Sequence, residues 1–143
     1  MPDQTTTWFS ALERSGYRLT KPRRIVTEII STSHYSLTPS DLFLDARKKC
    51  PNLGLVTVYR TLEKLEMLGL VQRVHQPCGC HAYIAAAQGH EHLLLCTTCG
   101  KAEFFSGDQL QPLFDTVAQK CSFTIQDHWL QLFGTCKDCQ SKG

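Results

Sequence analysis

Cys96-Thr97-Thr98-Cys99 and Cys136-Lys137-Asp138-Cys139 are the residues of this chain best suited to chemistry. Two residues between cysteines let both sulfurs aim into one tetrahedron, and two such pairs supply the four thiolates a structural zinc takes. Thirty-six residues separate the pairs, more than the roughly fifteen to twenty of a compact zinc ribbon. An ion held by both pairs therefore ties the end of the chain back across a whole small subdomain. The competing chemistry is redox, with the pairs acting as dithiols or disulfides. The polar start Met1-Pro2-Asp3-Gln4 reads as no secretory leader, which points to a reducing, cytoplasmic setting and to metal-binding thiolates.

The histidines lie in the same half. Five of six histidines and seven of eight cysteines fall beyond residue 74. His90 and His92 alternate along a segment expected to be extended, which would put both rings on one face. His128 opens a strand leading to Cys136. His75, Cys78, Cys80 and His81 offer two imidazoles and two thiols within seven residues, a set that suits zinc. The same residues also suit an exposed turn. Cys50 and Cys121 read as ordinary half-buried cysteines.

Charge divides the chain in the same place. Residues 1–75 carry eleven Lys/Arg against seven Asp/Glu, and residues 76–143 carry four against six, although the net charge of the 143 residues is only +2. A basic front half and an acidic, ligand-rich back half suggest nucleic-acid contact in front and metal chemistry behind. No apolar run approaches the roughly 18 residues of a membrane span.

The elements that must position these groups follow from local signals. Thr20-Lys21-Pro22 is a capping hydroxyl followed by a first-turn proline, and Ile25, Val26, Ile29 and Ile30 continue it as a buried helical stripe. Arg18, Lys21, Arg23 and Arg24 gather at this helix start and are candidates for phosphate contact. Leu37-Thr38-Pro39-Ser40-Asp41-Leu42 combines a capping box with a hydrophobic staple, opening a helix expected to reach about Lys49 and stop before Pro51. A third helix is expected from Leu55 to Leu68, ending at Gly69. On it Leu55, Val58, Leu62 and Leu65 are expected to face the core, and Thr57, Arg60, Thr61 and Lys64 to face outward, with Tyr59 on the flank. Such a helix suits a DNA major groove, although any amphipathic surface helix shares the pattern.

Leu70–Val74 and His81–Ile84 read as two strands joined through Pro77-Cys78-Gly79-Cys80. Helices followed by a two-stranded hairpin make a winged helix-turn-helix. Beyond it, His92–Cys96, Ala102–Phe105, Phe123–Ile125 and His128–Phe133 read as strands, and Asp108 to about Lys120 as a helix. The expected fold class is α+β: a winged-helix DNA-binding domain over 1–84, then a small α/β metal-binding domain over 85–143. A unit of about 60 residues needs a metal clamp or a partner chain to be stable.

Taken in order, these segments resemble the ferric uptake regulator family. The resemblance is carried by Arg18-Leu19-Thr20-Lys21-Pro22-Arg23, Val56-Thr57-Val58-Tyr59-Arg60-Thr61-Leu62 and Leu68-Gly69-Leu70-Val71, then by His90-Glu91-His92, Cys96–Lys101 and His128 through Cys139. It covers nearly the whole chain, and the zinc-uptake and peroxide-sensing branches are nearest in character. The resemblance implies a dimeric, metal-dependent transcription factor, usually a repressor, that binds palindromic double-stranded DNA operators, with 85–143 as its dimerisation domain. It implies that Tyr59 and Arg60 meet DNA; Thr57 and Lys64 on the outward face, and Arg18 and Lys21 in the basic cluster, are the further candidates that the pattern itself offers. It also implies a sensing metal site, with ligands six and four residues before Cys96 and eight before Cys136; these positions hold His90, His92 and His128.

The chain departs from the family where a carboxylate usually follows, because Gln111 stands there; Glu103, Asp108 or water would complete the shell. The family's hinge ligands fall here on Glu91 and Leu93, and Leu93 cannot ligate. A hinge site would therefore draw on His75, Cys78, Cys80 and His81, with Glu91 or Glu103. A ligand set rich in histidine and cysteine favours a regulatory Zn2+ over Fe2+ or Mn2+. A ferrous or manganese peroxide sensor and an iron-uptake repressor are the alternatives within the family. A zinc enzyme lacks its signatures here, with no H-E-x-x-H and no H-x-E followed by P-C-x-x-C. A zinc adaptor that does not bind DNA is opposed by Tyr59 and Arg60.

Overall fold

The computed structural model describes residues 3–76 and 79–142. They form two compact units, Met1–Ala86 and Ala87–Gly143. The first holds α1 (Gln4–Arg14), α2 (Lys21–Thr32), α3 (Pro39–Arg47), α4 (Leu55–Met67), β1 (Val71–His75) and β2 (His81–Ala85). The second holds β3 (Glu91–Cys96), β4 (Ala102–Ser106), a 3-10 turn at Asp108–Leu110, α5 (Gln111–Cys121), β5 (Gln131–Gly134) and α6 (Lys137–Gln140). No helix among the described residues is long and apolar enough to cross a membrane.

The starts of α1, α2 and α3 are set by side chains. The carboxylate of Asp3 accepts from Thr6 N–H at 2.7 Å, and the hydroxyl of Thr20 accepts from Arg23 N–H. Thr38 and Asp41 close a reciprocal box, with Asp41 N–H on the Thr38 hydroxyl at 3.1 Å and Thr38 N–H on the Asp41 carboxylate at 3.0 Å. Each satisfies amides that the helix itself leaves without partners. Helix α4 stops at Gly69, whose φ of 73° is cheap only for glycine. Trp8, Leu12, Ile25, Val26, Ile30, Leu42, Val58, Leu62, Leu65 and Val71 close one core over these elements.

The wing is an antiparallel hairpin running from Val71↔Ala85 to His75↔His81. It is tied both to the segment ahead of α3 and to α4. Leu37 and Tyr83 exchange backbone hydrogen bonds of 2.9 and 2.8 Å, and Arg73 on β1 meets Glu66 on α4 at 3.1 Å.

The faces of α4 differ from the expected ones. Leu55 is 39% exposed, whereas Thr61 is fully buried. Leu55 sits in the first turn, beyond the edge of the core, so the inward stripe is Val58, Thr61, Leu62 and Leu65. Thr61 can lie there because its hydroxyl donates to the Thr57 carbonyl one turn back, at 2.7 Å.

In the second unit β3 is the central strand, antiparallel to β4 and parallel to β5. Leu93 and Leu95 are its buried side chains. Phe123–Ile125, expected as a strand, is none: Phe123 is 73% and Ile125 40% exposed. A strand requires a neighbour to pair with, and the alternating apolar pattern supplies only half of that requirement. The strand expected from His128 begins at Gln131.

Candidate metal centres and nucleic-acid interface

The parallel register places the tail beside the knuckle. Cys96↔Gly134 is the last rung between β3 and β5, so the chain enters α6 next to the end of β3. The knuckle turns tightly, with Gly100 N–H on the Cys96 carbonyl at 3.0 Å and Thr97 N–H on the Gly134 carbonyl at 2.9 Å. Cys136 caps α6 and Cys139 lies within it.

The four sulfurs of Cys96, Cys99, Cys136 and Cys139 all lie within 4.8 Å of one another, and those of Cys99 and Cys136 are 3.7 Å apart. Sulfurs bound at ~2.3 Å in a tetrahedron stand about 3.8 Å apart, so the set fits zinc. The Cys136 N–H donates to the Cys96 sulfur at 3.3 Å. Backbone N–H groups of Cys136 and Cys99 hold the Cys96 thiol down to about 5, well below its ordinary 9.0. The neighbouring Cys136 sulfur, together with burial, pushes Cys139 up to about 12. The cluster thus mixes a ready thiolate with a thiol that an incoming cation must deprotonate.

A second constellation lies at the other end of β3. The Nε2 atoms of His92 and His128 face each other at 3.2 Å. Nitrogens bound to one zinc at ~2.0–2.1 Å in a tetrahedron stand about 3.3–3.4 Å apart, so this spacing fits two ligands of one ion. A hydrogen bond between one protonated and one free nitrogen has the same reach. Phe114 of α5 packs on His128 with ring centroids 4.5 Å apart, and Phe105 of β4, the register partner of His92, lies 5.8 Å from it. Gly107 completes the wall: a Cβ there would sit 2.5 Å from the His92 ring and 2.6 Å from the His90 carbonyl oxygen. Sequence reasoning missed these three neighbours. Only Phe105 carried a signal, through the pairing of its strand with β3.

Among the described residues the other expected ligands do not gather with this pair into a group of three or more. His90 sits in a turn ahead of β3, so the alternation that would align it with His92 does not extend to it; its carbonyl accepts from Gly107 N–H at 2.8 Å. Glu103 pairs with Lys101 at 3.5 Å, in register with Leu94 rather than His92. Gln111 donates to the Asp115 carboxylate at 3.0 Å, and Asp108 is exposed with its N–H on the Ser106 hydroxyl. On the wing, His75 and His81 are directly opposed and Cys80 is exposed beside them; Cys78 lies outside the described residues.

Along α4, Tyr59 is 52% exposed and Arg60 is exposed beside it, while Thr57 is half-buried. The ammonium of Lys64 sits 5.3 Å from the centre of the Tyr17 ring. Arg18 and Lys21 are exposed at the start of α2, where the Arg18 carbonyl accepts from the Arg23 guanidinium.

Comparison with known proteins gives consistent neighbours. The model of the ferric uptake regulator family matches residues 14–133. A ferric uptake regulation protein of Neisseria meningitidis serogroup A is 30% identical over 133 residues, covering 92% of each chain. A zinc uptake regulation protein of Mycobacterium tuberculosis is 31% identical over 130 residues, covering 91% of this chain and 100% of its own length. Among solved structures, a zinc-bound manganese uptake regulator superposes with a TM-score of 0.76 at 25% identity, over 91% of this chain and 98% of that one.

Proposed function

The chain belongs to the ferric uptake regulator family, and from this premise we propose that it is a zinc-responsive transcriptional repressor acting as a homodimer on palindromic DNA in the cytoplasm. The observation that carries the reading is the His92–His128 pair, two imidazole nitrogens 3.2 Å apart on a site separate from the four sulfurs. One site holds a permanent ion and the other can report a fluctuating one. His92 and His128 would hold the reporting metal. The position where relatives usually carry a carboxylate is Gln111, whose amide is engaged with Asp115. A donor set of imidazoles without that carboxylate suits zinc better than the harder Fe2+ or Mn2+. The opposed His75 and His81, with the exposed Cys80, form a candidate second regulatory set on the wing; Cys78, also expected in it, lies outside the described residues.

Tyr59 and Arg60 supply the reading surface, and the basic start of α2 supplies phosphate contacts. Exposed Leu113, Val117, Phe123, Ile125 and Trp129 give the second unit the apolar face a partner copy would cover. Two-fold pairing then matches a palindromic site. Metal acts by population shift. An ion that binds the DNA-competent form about a hundredfold more tightly than the other shifts the equilibrium by the same factor.

The test is a DNA-binding titration across buffered Zn2+, Fe2+ and Mn2+, with the four-sulfur site kept loaded. Zinc is expected to raise affinity at the lowest free concentration, and His92→Ala and His128→Ala to abolish that response. Equal affinity with and without added metal defeats the proposal. A response to Fe2+ or Mn2+ alone reassigns the metal to the peroxide-sensing or iron-uptake alternative.

A further inference from the structure

The outward face of α4 is more apolar than its role as a DNA reader requires. Val56 is 62% exposed, flanked by Leu55 at 39% and Tyr59 at 52%. The core is served by Val58, Thr61, Leu62 and Leu65, so Val56 contributes nothing to it. Val56 and Arg60 are four residues apart and share one side of the helix. Their separation along the axis is about 6 Å, one to two base-pair steps of ~3.4 Å.

We propose that Val56 reads the 5-methyl group of thymine, one to two base pairs from a guanine held by Arg60. This rests on the DNA-reading role given above. In the major groove the bases are told apart by hydrogen-bonding atoms, with one exception: thymine presents a methyl group. The Val56 side chain has no donor or acceptor, so a thymine methyl is the only base-edge feature it can distinguish. Charge favours a nucleic acid over an apolar protein partner. Arg60 shares the stripe, and the front half of the chain carries eleven Lys/Arg against seven Asp/Glu. Val56 therefore adds an apolar contact for the thymine methyl beside the hydrogen bonds that the polar residues of the helix supply.

The experiment is selection from randomised double-stranded DNA with the full-length, zinc-loaded protein and its Val56→Ala and Val56→Thr variants. The selected thymine is then replaced by deoxyuridine, which removes only the methyl group. Wild type is expected to lose about three- to fivefold in affinity per thymine replaced, the scale of one buried methyl. Val56→Ala should start weaker and pay a clearly smaller penalty on the replacement, while Val56→Thr, which keeps one of the two γ-methyls, should lie between. The Arg60-linked guanine preference should survive in both variants. An unchanged thymine preference and an unchanged deoxyuridine penalty in Val56→Ala would overturn the inference and leave the DNA-reading role intact. Failure of wild type to enrich any sequence would overturn that role itself.

Discussion

Removing both tail cysteines, as Cys136→Ala with Cys139→Ala, should unfold the second unit and leave the first standing. An ion joining Cys99 to Cys136 closes a loop of 37 residues. The chain entropy removed from the unfolded state by a cross-link of that length is worth about 4 kcal/mol. Domains of ordinary size have only about 5–15 kcal/mol in total, and the second unit buries little to replace the loss. Its buried apolar residues are Leu93, Leu95, Cys96 and Ala102, against thirteen in the core of the first unit. The protein carries a reporter in each unit: Trp8 is 4% and Trp129 is 70% exposed. Hydrogen exchange should show the β3 amides losing protection in the variant, while those of α2 and α4 keep theirs. Trp8 fluorescence should still melt cooperatively. If β3 protection in the variant equals that of the parent, the assignment of the four sulfurs as a clamp is wrong.

Three further outcomes follow from the geometry. Gly107→Ala should displace the His92 ring and weaken the reporting metal by roughly 10–100-fold without disturbing the four-sulfur zinc, as read by competition with a chromophoric chelator. Thr61→Val should cost within about 1 kcal/mol and leave DNA binding unchanged, because Thr61 is buried on the Thr57 carbonyl; loss of DNA binding with unchanged thermal stability would contradict that placement. Zinc affinity at the four sulfurs should rise with pH, since bound protons compete with the ion. It should fall more steeply, by about one further proton, once pH drops below the Cys96 value of about 5, as a chelator competition at several pH values would show.

The parts legible in the sequence were those written locally. Thr20 and Thr38 sit at helix starts that hydrogen bonds between residues three apart decide, so α2 and α3 were readable. The C-x-x-C spacing was readable for the same reason, since each pair is set by a single turn. Helix α1 escaped notice because its start is Thr5-Thr6-Thr7, poor helix formers, and its buried stripe is only Trp8 and Leu12; the Asp3 cap was the available clue. Thr61 was misassigned because a helical wheel knows period but not phase, and a buried hydroxyl bonded to its own backbone reads as polar surface. Phe123–Ile125 carries a strand pattern, but no strand among the described residues pairs with it. The meeting of His92 with His128 depends on where β5 runs beside β3, a register fixed by tertiary pairing over thirty-six residues of separation. His90 precedes the first residue of β3, so alternation along the strand does not decide where its ring points.

In the proposed mechanism one metal stays and another signals. Graded chelation of the zinc-loaded protein, with bound metal and operator affinity followed on the same samples, tests it most directly. DNA binding is expected to disappear with loss of the first, weaker-held ion while one ion per chain persists in an all-sulfur environment by X-ray absorption. Loss of DNA binding only when the sulfur-bound ion departs would contradict it.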